Sequence, residues 1–181
     1  MREMPIYLDY NATTPILPEV VDAMLPYLRE HFGNPSSGHA YGRCARDAVE
    51  QARHQGAGLL GADDDEVIFT SGGTEANNLA IRGSVEARSE RRHVITTVIE
   101  HPATERTCAW LALHETRITR IGVDGDGRAR IEDARAAMDA DTALVTVMHS
   151  NNETGVLQPV AEIAGLAHEH GAMLHTDAAQ S

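Results

Sequence analysis

Hydrophobic positions change their spacing several times along the chain, and each change marks a new element. From Pro18 to His31 the apolar residues Val20, Val21, Met24 and Leu28 return at helical intervals, with Pro26 placed to kink or divide that helix. Tyr41 to Leu60 carries the pattern of a long amphipathic helix. Between them, Gly33-Asn34-Pro35-Ser36-Ser37-Gly38 is a loop by composition, since each of these residue types favours turn conformations. The opening, Pro5 to Pro15, predicts a short extended piece followed by a polar turn.

Beyond residue 65 the pattern alternates regularly between short apolar runs and helical stretches. It predicts strands at Glu66–Thr70, His93–Ile99, Arg117–Val123, Ala143–His149 and Ala172–Thr176, and helices at Thr74–Ala87, Ala103–His114, Ile131–Met138 and Val160–His170. Val94-Ile95-Thr96-Thr97-Val98-Ile99 and Ala143-Leu144-Val145-Thr146-Val147-Met148 are apolar or β-branched at nearly every position. Strands of that kind belong to sheets covered on both faces. The expected fold class is therefore α/β, a mostly parallel sheet with helices on both faces. The last strand is followed at once by Asp177-Ala178-Ala179-Gln180-Ser181, where a covering helix would normally come, so the sheet is expected to be incomplete at the C-terminus and poorly soluble alone.

Composition narrows the partners. A chain of 181 residues with 42% hydrophobic content can bury one sizeable core. Net charge is −12, which argues against nucleic-acid binding. All 15 basic residues are arginine; the chain has no lysine. Cys44 and Cys108 form no CxxC pair and fall on predicted helices, where small buried residues are the usual reading, so no disulfide framework is expected. No signal-like or membrane-spanning run of apolar residues occurs, and a cytoplasmic protein without membrane contact is expected.

In an open parallel sheet, ligands sit beyond the carboxyl ends of the strands. The polar residues following successive strands are Gly72, Gly73 and Thr74; Glu100 and His101; His149, Asn151 and Asn152; and Asp177 and Gln180. The first group is a glycine turn opening a helix, a geometry that seats phosphate through free amides and a positive dipole end. Each group also has a plain structural reading. His101 before Pro102 suits a helix start, Asp177 an N-cap, and Asn151-Asn152-Glu153-Thr154-Gly155 a turn. Four loops on one edge favour a shared ligand. No metal site is expected: His168 and His170 point to different faces of one helix, and Asp124-Gly125-Asp126-Gly127 lacks the later calcium ligands. Asp63-Asp64-Asp65-Glu66 reads as a solvated turn. A dinucleotide fingerprint is absent, and a Walker loop needs a lysine. A carboxylate, an imidazole, carboxamides and a phosphate seat suit pyridoxal 5′-phosphate, PLP.

At these residues the chain resembles the cysteine desulfurases, the NifS- and IscS-type branch of the class V aminotransferase family. The likeness runs through Tyr7-Leu8-Asp9, Asn11-Ala12-Thr13-Thr14-Pro15, Phe32-Gly33-Asn34-Pro35-Ser36-Ser37, Phe69-Thr70-Ser71-Gly72-Gly73-Thr74-Glu75-Ala76-Asn77-Asn78, Glu100-His101-Pro102-Ala103, Met148-His149-Ser150-Asn151-Asn152-Glu153-Thr154-Gly155 and His175-Thr176-Asp177-Ala178-Ala179-Gln180-Ser181. It implies the large PLP-binding domain of the aspartate aminotransferase-like (fold type I) fold, with residues 1–20 an N-terminal arm and residues 21–181 part of that domain. It also implies that Gly73 and Thr74 hold the cofactor phosphate and that His101 stacks on the ring as a catalytic residue. By the same resemblance Asp177 pairs with the ring nitrogen, and Asn152 and Gln180 lie near the phenolic oxygen.

The implied reaction takes sulfur from L-cysteine, leaves L-alanine and passes a persulfide to an acceptor such as an iron–sulfur scaffold, in a homodimer. Selenocysteine lyases and class V aminotransferases share the fold and remain open, as does a non-catalytic cofactor-binding or dimerising module. Tyr10 and Gly73 depart mildly from the family pattern, which more often has asparagine and alanine there. The family's cofactor-anchoring lysine, persulfide cysteine and substrate-binding arginine lie beyond residue 181, and neither Cys44 nor Cys108 matches the nucleophile. The chain alone is therefore expected to be inactive.

Overall fold

The computed structural model describes residues 5–10 and 12–181, so Asn11 and the first four residues, with the readings placed on them, lie outside the described residues. The chain divides into two compact units: Thr13–Phe69, and Thr70–Ser181 together with the described residues up to Ala12.

In the Thr13–Phe69 unit, α1 spans Pro18–Arg29 and α2 spans Ala40–Leu60. Pro18 opens α1, where a missing amide does no harm. Pro26 does not divide that helix; its carbonyl instead closes the last turn by accepting the amides of Glu30 and His31, at 2.8 and 2.9 Å. His39 caps α2 by accepting the Gly42 amide through Nδ1, and Gly61 ends it in the left-handed conformation with φ 67°. The buried stripe of α2 is Gly42, Ala45 and Ala57. A Cβ at Gly42 would lie 2.3 Å from the Ser37 carbonyl oxygen, so the preceding loop can only pack against glycine. Cys44 stands off this stripe and is exposed, contrary to the expectation of burial.

The acidic run folds as a short 3-10 turn, Asp64–Glu66, in which the Glu66 carboxylate accepts the Asp63 amide at 2.8 Å. The strand expected at Glu66–Thr70 does not form. Val67 has extended angles, but a strand needs a ladder partner for its amides and carbonyls. Among the described residues, the Val67 carbonyl is taken by the Arg53 guanidinium, which also covers the Phe69 ring at 5.1 Å.

The larger unit holds α3 (Gly73–Glu86), β1 (His93–Thr97), α4 (Pro102–Ala112), β2 (Arg117–Ile121), α5 (Ile131–Ala137), β3 (Thr142–Thr146), α6 (Val160–Glu169) and β4 (Met173–His175). Every element other than the first expected strand forms here, shortened or shifted by a few residues at its ends. The strands make one parallel sheet in the order β2-β1-β3-β4. Val94 lies opposite Leu144, and Ile95 opposite Val145. Successive side chains point to opposite faces, so these neighbours enter two separate cores. Val94 and Leu144 pack with Ile81 and Val85 of α3 and Cys108 and Leu111 of α4. Ile95 and Val145 pack with Ala134 of α5 and Ile163, Leu166 and Ala167 of α6. All residues of β1 and β3 are buried, as a sheet covered on both faces requires.

Among these strand residues His93 carries the ionisable side chain. His93 is fully enclosed, its ring nitrogens 2.9 Å from Thr142 Oγ1 and 2.8 Å from Thr119 Oγ1. Burial holds its pKa below the ordinary histidine value, assisted by Arg117 and opposed by Asp139 and Asp141. Burial likewise lowers the pKa of His175, opposed by Asp177. The folded chain thus takes up these protons less readily than the unfolded chain. Their contribution to stability is complete above about pH 6.5, the unfolded value, and is lost as pH falls below it. Between about pH 7.5 and about pH 5.5, His93→Gln should lose less Tm on acidification than the unsubstituted chain, measured by thermal denaturation of both. An identical dependence of Tm on pH in the two proteins would show that His93 contributes nothing to it.

Candidate functional site

The order β2-β1-β3-β4 contains a reversal. After β1 the chain builds β2 on one side, then crosses to β3 on the other. In such sheets a crevice opens beyond the carboxyl ends of the two strands flanking the switch, here β1 and β3. The loops leaving them are stitched together. Asn151 Nδ2 donates to the Ile99 carbonyl at 3.3 Å, and the Met148 amide donates to Glu100 Oε1 at 3.0 Å. The third exit loop joins through the His149 amide, which donates to the Asp177 carbonyl at 2.8 Å.

At this edge lies a cavity of about 400 Å³ whose walls include Gly73, Thr74, His101, Asn152, Asp177 and Gln180. All six residues singled out in the sequence therefore meet in one place, drawn from four separate stretches of chain. Asn77, Met148 and Ser150 also line it.

Local chemistry explains how each residue is presented. Gly72 precedes α3 with φ 156°, an angle that favours glycine, and no side chain caps the helix. The first amides of α3 thus have neither an intrahelical partner nor a side-chain cap. Glu75 leaves them free because its carboxylate folds back on Ser71, accepting the amide at 2.7 Å and the hydroxyl at 2.6 Å. Those bonds lower the Glu75 pKa. His101 serves as the N-cap of α4, its Nδ1 accepting the Ala103 amide at 3.1 Å, and it still lines the cavity. His101 thus meets the structural reading and also stands on the cavity wall. Asn151 shapes the loop, its Oδ1 accepting the amides of Glu153 and Thr154 at 3.0 and 2.9 Å, while Asn152 faces the cavity. The His149 side chain pairs with Ser181 Oγ at 2.8 Å and is not part of the cavity wall.

Asp177 is held at both carboxylate oxygens. Oδ2 accepts Asn77 Nδ2 at 2.7 Å, and Oδ1 accepts the Ala179 amide at 3.1 Å. The donor set is free helix-terminal amides, the Thr74 hydroxyl, an imidazole, two carboxamides and a half-buried carboxylate. It fits a phosphate-bearing heteroaromatic ring with one protonated nitrogen.

The aminotransferase class-V family model matches residues 6–181. The chain belongs to the class-V aminotransferase family. Within it, the chain is 48% identical to a cysteine desulfurase from Trichormus azollae, over 97% of this chain and 44% of that protein. It is 46% identical to cysteine desulfurase IscS from Dictyoglomus turgidum, over 97% and 45%. Among solved structures, a NifS-like protein superposes with a TM-score of 0.94 at 35% identity, over 98% of this chain and 50% of that one. DndA from Streptomyces lividans follows with a TM-score of 0.83 at 42% identity, over 97% and 50%. The chain thus spans less than half the length of these curated relatives. Class-V aminotransferases are PLP enzymes, and the donor set described above suits that cofactor.

Two residues, Asn77 in the cavity wall and Glu100 behind it, have structural roles that the sequence reading does not assign. Asn77 stands one helical turn after Gly73, so helical spacing alone places it on the wall that Gly73 opens. Glu100 was visible as a rim residue, but its burial was not. Its Oε1 accepts Thr97 Oγ1 at 2.7 Å as well as the Met148 amide, while Oε2 is enclosed without a partner among the described residues.

Burial pushes the Glu100 carboxyl up to about 7; the Thr97 and Met148 bonds oppose the rise, and Asp177 and Glu105 add to it. A carboxyl whose pKa is raised on folding stabilises the fold below its ordinary value of 4.5 and loses that contribution as pH rises through about 7. Glu100→Gln keeps the acceptor for Thr97 and Met148 and removes the charge. It should therefore raise stability at about pH 8 by on the order of 2 kcal/mol and change it little at about pH 5. A loss of Tm at pH 8 would contradict this.

Proposed function

We propose that this chain forms the cofactor-holding part of a PLP-dependent cysteine desulfurase. The observation that carries the proposal is the meeting of Gly73, Thr74, His101, Asn152, Asp177 and Gln180 around one cavity at the switch point. In this reading the amides of Gly73 and Thr74, with the Thr74 hydroxyl, bind the phosphate at the positive end of α3. His101 lies against the ring as the catalytic imidazole. Asp177 keeps the ring nitrogen protonated by opposite charge, and the carboxamides of Asn152 and Gln180 hold the phenolic oxygen. When bound, PLP supplies an electron sink for the pair released as the substrate Cα loses its proton.

The proposed reaction converts L-cysteine to L-alanine, with sulfur passed as a persulfide to an iron–sulfur scaffold or thio-cofactor pathway. The relatives' names support this, and so does a solved neighbour, 39% identical, described as SspA in complex with cysteine. We assign residues 1–20 to an arm and residues 21–181 to the large domain of a homodimer. A cytoplasmic setting without nucleic-acid or membrane contact accompanies this reading; no helix of the described residues is long and apolar enough to cross a membrane.

The absence of lysine qualifies the reading. This chain offers no lysine amine to anchor PLP covalently or to carry the Cα proton. A second reading is a non-catalytic module that binds the cofactor or pairs with a subunit bearing the lysine. Selenocysteine lyase and other class-V activities of the same fold would need the same anchor.

The purified 181-residue chain should bind PLP reversibly, seen as quenching of Trp110 fluorescence or a change in the cofactor spectrum, yet release no alanine or sulfide from cysteine above free PLP. Release well above that background would overturn the predicted inactivity. No PLP binding at all would overturn the cofactor reading of the chain.

A further inference from the structure

Asp177 stands at the wall of the cavity, and among the described residues no arginine or histidine bonds to its carboxylate: a side-chain amide does. Asn77, only 5% exposed, stands on α3 and reaches across a sequence separation of 100 residues to donate from Nδ2 to Asp177 Oδ2 at 2.7 Å. The other oxygen is taken by the Ala179 amide within its own turn, and the Asp177 carbonyl is held by the His149 amide. The backbone is thus fixed by the loop leaving β3, and the side chain is fixed by α3 together with its own loop.

The chemical type of the clamp matters. A hydrogen bond to the ionised form of a carboxylate favours that form. A cation in the place of Asn77 would do so more strongly, but it would also neutralise the charge seen by a ligand. A neutral amide orients the carboxylate and leaves its charge available. An apolar residue at position 77 would leave Asp177 free to rotate. The one carboxyl whose charge couples to Asp177 from the β1 side, Glu100, is buried with an oxygen lacking a partner and does not line the cavity.

We propose that Asn77 is a positioning residue that fixes the Asp177 carboxylate so that it distinguishes a protonated ring nitrogen from an uncharged ring atom. Asn77 is not a catalytic residue; it acts through Asp177. The inference rests on the assignment of Asp177 to the ring nitrogen of PLP.

The test compares two ligands of nearly identical shape: PLP, and 1-deazapyridoxal 5′-phosphate, in which a C–H replaces the ring nitrogen. Dissociation constants are measured by fluorescence titration on the 181-residue chain, its Asn77→Leu variant, which keeps the volume without the donor, and Asn77→Ser, which keeps a shorter donor. The unsubstituted chain should prefer PLP by about tenfold, in the range of a charge-assisted hydrogen bond. Asn77→Leu should reduce that preference to about threefold or less, with affinity for the deaza ligand within about twofold of the original, and Asn77→Ser should recover part of it. A merely structural role for Asn77 would weaken both ligands equally, and that result would overturn the proposal while leaving the cofactor reading intact. A tenfold preference that survives in Asn77→Leu would overturn it as well. A lack of preference in the unsubstituted chain would instead overturn the assignment of Asp177, before any variant is considered.

Discussion

The register between β1 and β3 is the constraint on which the rest of the larger unit depends. Val94 opposite Leu144 and Ile95 opposite Val145 place alternate residues into two cores, one closed by α3 and α4 and the other by α5 and α6. A slip of one residue would turn Leu144 and Val145 to the wrong faces and cost both cores at once. A slip of two would keep the faces but carry the exit loop of β3 about 6.6 Å along the strand, away from the loop that carries His101. The bonds from Met148 to Glu100 and from Asn151 to Ile99 exist only in the observed register. Apolar packing in the middle of the sheet is thus what aligns polar groups at its edge.

At that edge, structural and ligand-facing tasks are divided between neighbouring residues. Asn151 shapes its loop while Asn152 faces the cavity; Glu75 satisfies Ser71 while the amides of Gly73 and Thr74 stay uncapped. His101 performs both tasks, one ring nitrogen capping α4 while the residue lines the wall. Glu100 is the strained member. Its carboxyl joins two loops through one oxygen and encloses the other without a partner, an arrangement that favours the neutral form near the site.

Much of this was legible in the sequence because period and topology are local signals. The buried runs around Ile95 and Val145 announced a sheet covered on both faces, and the rule that ligands gather at strand carboxyl ends selected His101, Asn152 and Asp177 without reference to side-chain positions. The strand expected at Glu66–Thr70 failed for a non-local reason: its residues suit a strand, but pairing depends on a neighbour, and the Val67 carbonyl meets Arg53 instead. Cys44 was misplaced because the buried stripe of α2 is narrow and made of Gly42, Ala45 and Ala57. Local spacing could place Asn77 on the wall and Glu100 at the rim, but their bonds to partners 100 and 48 residues away are reported by no local pattern.

The central claim is that the free amides of α3 and the polar residues around them hold the phosphate and ring of PLP. The most direct measurement is a ¹H–¹⁵N correlation spectrum of the labelled chain titrated with the cofactor. The largest shifts should fall on the amides of Gly73 and Thr74 and on the side-chain amides of Asn77, Asn152 and Gln180, with the amides in the middle of α2 unmoved. Saturable shifts concentrated elsewhere in the chain, or none at any concentration, would contradict the account.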